Sequence, residues 1–147
     1  MIYVKRIIFV IFFNLVFLNS VFGAENFFEE AKKKFEKKDY EKSKFLFQRN
    51  IVFNPKDAKS YLYLAKIFKN EDNQEEEEKN LDTTLLLDPE NEEAIYMLIN
   101  IQLDRSNFEK ANDLMDRFSN ICKTLCSKKT EISKSLQDFE ANNEKTN

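Results

Sequence analysis

The feature that most restricts how this chain can fold is a recurrence at an interval of 34 residues. Its only two prolines, Pro55 and Pro89, stand 34 apart in the similar settings Phe53-Asn54-Pro55 and Leu87-Asp88-Pro89. Asp39-Tyr40-Glu41-Lys42-Ser43 returns 68 residues on, two such intervals, as Asn107-Phe108-Glu109-Lys110-Ala111. Two independent markers thus agree on one period and one register. A period of this length marks stacked supersecondary units, each unable to bury its apolar face alone. The frame sets units at 24–57, 58–91 and 92–124.

Within a unit the apolar residues keep helical spacing. Tyr61, Leu64, Ala65 and Phe68 form one stripe in the second unit, and Leu81, Leu85 and Leu87 form another before Asp88-Pro89. In the third, Ile95, Leu98, Ile99 and Gln102 are followed by Leu114, Met115 and Phe118. Proline lacks an amide donor and disfavours helix in the residue before it, so Pro55 and Pro89 punctuate the junctions. A single glycine, Gly23, argues against a small all-β fold, whose hairpin turns need residues at positive φ. The pattern predicts an all-α chain, a short right-handed α-solenoid of helix-turn-helix units. After Ser127, which is placed to cap a helix, Ile132, Leu136 and Phe139 recur at i, i+4, i+7. That makes 127–147 a capping helix with a frayed tail, which is what the open end of such an array requires.

At this point the chain resembles the tetratricopeptide repeat family, whose pattern is W-x2-L-G-x2-Y, then A-x3-F, then P. The second unit matches best, through Tyr61, Leu64, Ala65, Phe68, Leu81 and Pro89. The first matches through Phe27, Ala31, Ser43, Phe47 and Pro55, and the third through Ile95, Leu98, Ala111 and Met115. Glu30, Lys34 and Ile99 depart from the pattern, and Lys123 stands where the family has proline. Glu77 takes the place of a packed alanine, which predicts a second helix that starts late or packs loosely.

The resemblance implies a concave groove, lined by the first helix of each unit, that holds a peptide or a helix of another protein. Carried over position by position, the lining is Phe28, Lys32 and Phe35 in the first unit, then Lys59, Leu62, Tyr63, Lys66 and Lys69 in the second. Tyr96, Asn100 and Leu103 complete it in the third. Aromatic anchors with scattered lysines suit an apolar segment bearing acidic groups. The alternative is that Phe28, Leu62 and Tyr96 belong to the core between units. The subclass that clamps a terminal carboxylate with lysine, asparagine and arginine is not matched, because Phe28, Tyr63, Glu93 and Met97 hold those places.

Composition removes most enzymatic readings. There is no His among the 147 residues, so His-based triads and HExxH zinc sites are excluded, and one glycine cannot build a phosphate-cradling loop. No catalytic residue, metal set or cofactor is assigned. Residues 1–23, MIYVKRIIFVIFFNLVFLNSVFG, carry Lys5-Arg6 before an apolar run and read as a secretory signal cut between Gly23 and Ala24. The alternative is an uncleaved anchor, although the run falls short of the roughly 20 residues of a spanning helix. Export, with the bias toward Lys, Asn, Ile and Phe, points to a bacterial periplasm, or to the inner membrane if the segment is retained.

The remaining 124 residues hold 21 basic and 26 acidic side chains, a net charge of −5, which does not suit nucleic acid. Lys32-Lys33-Lys34 and Lys37-Lys38 are interleaved with acids and read as a solvated face, as does Glu75–Glu78. Cys122 and Cys126 either form a local disulfide or remain as two thiols. A bond requires that the chain leave the helix there, since Cβ atoms four apart on a helix lie about 5–6 Å apart and a disulfide needs roughly 3.5–4.5 Å. The function expected is a non-enzymatic interaction module, an adaptor or assembly factor that binds another protein. The alternative is a structural protein that self-associates.

Overall fold

A computed structural model describes residues 22–144, with side chains over 27–138. Residues 1–21 of the leader segment 1–23, and the side chain of Phe139, therefore lie outside what is described, and with them the expectations of cleavage and export. Among the described residues there are seven helices: α1 (Phe22–Glu36), α2 (Tyr40–Phe53), α3 (Ala58–Asn70), α4 (Gln74–Leu87), α5 (Glu92–Asp104), α6 (Phe108–Ile121) and α7 (Lys128–Glu144). None is long and apolar enough to cross a membrane.

The 34-residue period is written into the backbone. Helices α2, α4 and α6 begin at Tyr40, Gln74 and Phe108 and end at Phe53, Leu87 and Ile121, each step being 34. Helices α1, α3 and α5 end at Glu36, Asn70 and Asp104, again 34 apart. Each then passes through one residue in the left-handed region: Lys38 (φ 59°), Asp72 (φ 54°) and Ser106 (φ 56°). The hydrogen bonds around them are those of a Schellman turn. Lys38 N–H donates to Phe35 O (2.8 Å) and Asp39 N–H to Lys34 O (3.0 Å), and the same pair closes at Asp72/Asn73 and Ser106/Asn107. Asn73, Asn91 and Asn107 then cap the next helix, accepting from Glu76 N (3.2 Å), Ala94 N (3.0 Å) and Lys110 N (3.5 Å).

Two compact units divide the chain at Pro55. In the first, α1 and α2 pack through small residues: Ala31 and Ser43 are fully buried and the Ser43 hydroxyl donates to Ala31 O at 2.9 Å. Phe28 meets Phe47 edge-on at 5.6 Å, and Phe27 stacks on Phe53 at 5.7 Å with the Arg49 guanidinium above it. The Lys34 ammonium lies 3.9 Å from Asp39 at the turn.

In the second unit α3–α7 share two apolar clusters. Leu62, Ala65, Leu81, Ala94, Met97, Leu98 and Ile101 join α3, α4 and α5. Ile95, Ile99, Ala111, Phe118, Ile132 and Leu136 join α5, α6 and α7, so α7 covers the last helix pair as a cap should. Ile99, the departure from a small residue, is fully buried nonetheless.

The run Glu75–Glu78 is not a uniformly solvated face. Glu77 is 5% exposed, although α4 begins at Gln74, as early in its unit as its counterparts. Glu78 accepts hydrogen bonds from Gln102 Nε2 (3.1 Å) and from Arg105, and Lys110 lies 3.7 Å away. Burial opposes the charge on Glu78, but the Arg105 hydrogen bond and these cations outweigh it and hold the carboxyl below its ordinary range. This network ties α4 to α5 and α6.

Candidate functional site

Helical spacing decides which side chains of α3 and α5 can meet a ligand. On α3, Leu62, Ala65 and Leu81 of α4 close the inner side, and Lys59, Tyr63 and Lys66 stand on the adjoining one. Leu62 is 7% exposed and belongs to the core, so its expected place in a groove lining is corrected. The core was the stated alternative for Leu62, and that is the place it takes. Tyr63 carries a hydroxyl and stays half-buried at the surface.

Lys66 Nζ sits 4.9 Å from the Tyr63 ring centroid and 2.8 Å from Glu93 Oε2 on α5. The lysine expected to attract acidic groups therefore already has a carboxylate partner, and a ligand acid must compete with Glu93. Lys59 is exposed, and Asn100 is half-buried. Together Lys59, Tyr63, Lys66, Glu93 and Asn100 give an aromatic surface with charge of both signs. Leu103 packs, partly buried, against the α5–α7 cluster.

Tyr96 is engaged rather than open. Its ring lies 6.3 Å from Phe118, its hydroxyl donates to Glu131 Oε1 at 3.3 Å, and Lys128 Nζ lies 5.5 Å from its centroid. Both charged partners come from α7, so the cap covers this end of the α5 face. The spacing of Ile132 and Leu136 marks an apolar stripe on α7, but nothing in that spacing says which tyrosine the opposite flank meets. In the first unit Phe28 packs on Phe47, Phe35 lies 5.5 Å from Tyr40, and Lys32 is half-buried.

Cys122 and Cys126 are bonded to each other, with Cα atoms 5.3 Å apart. The chain has left the helix to allow it: α6 stops at Ile121, Cys122 is extended (φ −58°, ψ 139°), and α7 starts only at Lys128. The five-residue ring turns its amides onto Glu92 at the head of α5. Lys123 N–H (2.7 Å), Thr124 N–H (3.1 Å) and Leu125 N–H (3.2 Å) donate to that carboxylate, as does the Thr124 hydroxyl. These donors, the Thr124 hydroxyl foremost, lower the Glu92 pKa to about 2. Nothing in the sequence singles out Glu92, because its partners lie some thirty residues away and all but the Thr124 hydroxyl are backbone groups.

No family profile matches the sequence, and no curated protein matches it. Solved structures do match. The translocator chaperone SycD of Yersinia enterocolitica superposes with a TM-score of 0.74 at 14% identity, over 88% of this chain and 93% of that one. A complex of SycD with a peptide of the translocator YopD gives 0.70 at 13% identity, over 81% and 93%. The Sgt2 tetratricopeptide domain from Aspergillus fumigatus gives 0.67 at 14% identity, over 82% of each chain. The chain thus has a fold of the tetratricopeptide-repeat type.

Proposed function

We propose that this protein is a non-enzymatic interaction module, an adaptor or assembly factor, that holds a segment of another protein against the α3–α5 face. The observation that carries the reading is Tyr63, a half-buried aromatic beside the Lys66–Glu93 pair. A rigid ring with a polar rim is the usual composition of an interface anchor. Matching folds lend support: SycD holds a YopD peptide, and the first tetratricopeptide domain of Spaghetti (RPAP3) is bound to the HSP90 peptide SRMEEVD. The leader-like residues 1–23 support extending the proposal to the bacterial envelope, and to the periplasm if the segment is removed.

The test is crosslinking in intact cells with identification of the captured protein. Tyr63→Ala combined with Lys66→Ala should abolish capture while the helical circular dichroism is kept. Undiminished capture by the double variant would move the site elsewhere.

A second reading, structural self-association, draws on large apolar side chains left in solvent. Phe45, Val52 and Phe53 of α2 are 61%, 77% and 59% exposed. Sedimentation distinguishes the two readings, because only self-association makes the mass climb with concentration.

A further inference from the structure

Where α3 ends, α4 begins and α5 ends, the second unit holds a pocket of about 260 Å³ lined by Lys69, Asp72, Gln74, Glu77 and Asp104. Three carboxylates face one ammonium. Acidic clusters are common and carry little alone, but Glu77 is different in kind. It sits 95% buried in a slot that Ser43 and Ala111 fill in the other two helix pairs, and its Oε1 has no hydrogen-bond partner. Ser43 resolves the same position by donating to a carbonyl, and Ala111 has no polar atom to satisfy. A buried acceptor without a donor is rare in folded proteins.

Neighbouring groups do not supply the donor. Arg105 is turned to Glu78 and to Gln74, whose Oε1 accepts from its Nε at 3.0 Å. Lys69 contributes only through its charge. Burial is the largest influence on Glu77 and raises its pKa; Lys69 opposes that, and Asp104 adds to it. Among the described residues no group of three or more acids is arranged to hold a metal ion. What Glu77 Oε1 lacks is a hydrogen-bond donor. At roughly 260 Å³ the pocket is smaller than the 300–1,000 Å³ of drug-sized sites and suits one long side chain.

We infer that this pocket is a receptor for a guanidinium group, the side chain of an arginine on the bound protein segment. Guanidinium is planar, always charged and rich in donors, so it can offer N–H groups to the Glu77 carboxyl that lines the pocket and to Asp72 and Asp104 beside it. Lys69 follows Lys66 by one turn of α3, so the pocket lies at the end of the face assigned to the partner. The identity of the arginine's source rests on that functional reading; the affinity for guanidinium does not.

The probe is N-acetyl-arginine amide, titrated into the full chain and followed by the backbone amide resonances of Asp72, Gln74 and Glu77. Saturable shifts are expected, absent with the neutral isostere N-acetyl-citrulline amide, and binding should tighten as pH rises and Glu77 ionises. Glu77→Gln should weaken it by about ten-fold or more, the scale of a charged hydrogen bond, and Asp104→Asn should weaken it less. Tyr63→Ala with Lys66→Ala should leave it unchanged even where partner capture is lost. Spermidine that matches the arginine probe would instead assign the pocket to free polyamines. Linear, unsaturating shifts, or unaltered affinity in both Glu77→Gln and Asp104→Asn, would overturn the proposal.

Discussion

Glu77 and Glu92 stand near the heads of successive helices in one compact unit, and their surroundings treat them in opposite ways. Glu92 is met by three backbone amides and a hydroxyl from the Cys122–Cys126 ring, which lower its pKa to about 2. Glu77 is shut away from solvent with no donor on Oε1, and burial raises its pKa. The helix dipole favours both, since each lies in a first turn. What separates them is the supply of donors. One carboxylate is part of how the fold closes; the other is held in a state that a ligand can improve.

The largest expected effect comes from opening the ring on which Glu92 depends. A chain-entropy estimate for a five-residue loop gives about 2 kcal/mol. Urea unfolding of the Cys122→Ser, Cys126→Ser protein should show a loss of that size. In the same variant the Glu92 carboxyl should titrate closer to its ordinary value, because the amides no longer converge. Identical midpoints for the bonded and serine forms would show that α7 is held by Ile132 and Leu136 alone.

A smaller effect, of opposite sign for the two residues, comes from removing each carboxylate. Glu77→Ala installs the family's residue in a packed slot and deletes an unsatisfied acceptor, so stability at neutral pH should rise by about 1 kcal/mol. The pKa of Glu77 is raised in the folded chain, so its penalty is full at high pH. The gain should shrink as pH falls through that raised pKa and be gone below the ordinary carboxyl range. Glu92→Gln should instead destabilise near neutrality. Its folded pKa is lowered, so the stabilisation is present above pH 4.5 and disappears as pH falls toward about 2. Because Glu92 is only half-buried, salt should reduce that loss. Parallel pH profiles for the two variants would erase the contrast between them.

These contrasts show which parts of the molecule the sequence could convey. The repeat period was legible because Pro55, Pro89 and the Tyr40/Phe108 segments act locally, and local signals survive in one dimension. The disulfide was legible as an alternative, since only a break in the helix makes it feasible, and the break occurs after Ile121. A positional match to the repeat family sets Leu62 in the groove lining, with the core as its alternative, and could not decide between them; burial selects the core. Lys66 and Tyr96 found partners, Glu93 and Glu131, that no spacing rule connects to them. The oddity of Glu77 was visible against the repeat pattern; its lack of a donor needed the fold.

The smallest effect carries the comparison from side chains to backbone. Lys38, Asp72 and Ser106 occupy one position in three successive turns, all left-handed, in a stretch without glycine. A residue with Cβ pays roughly 1–2 kcal/mol there, and a glycine returns part of that gain, about 0.5–1 kcal/mol, as backbone entropy. Asp tolerates the conformation better than Lys or Ser. Lys38→Gly and Ser106→Gly should therefore each raise the thermal midpoint by a few degrees, roughly 2–4 °C, and Asp72→Gly by less. The Asp72 substitution also tests the pocket, since it removes one carboxylate while keeping the turn. If Ser106→Gly stabilises and Asp72→Gly does so equally, aspartate earns nothing from its left-handed place beside Glu77. If Asp72→Gly gains more than the others, the added stability comes from relieving repulsion with Glu77, and the charge surplus in the pocket is being carried by the fold itself.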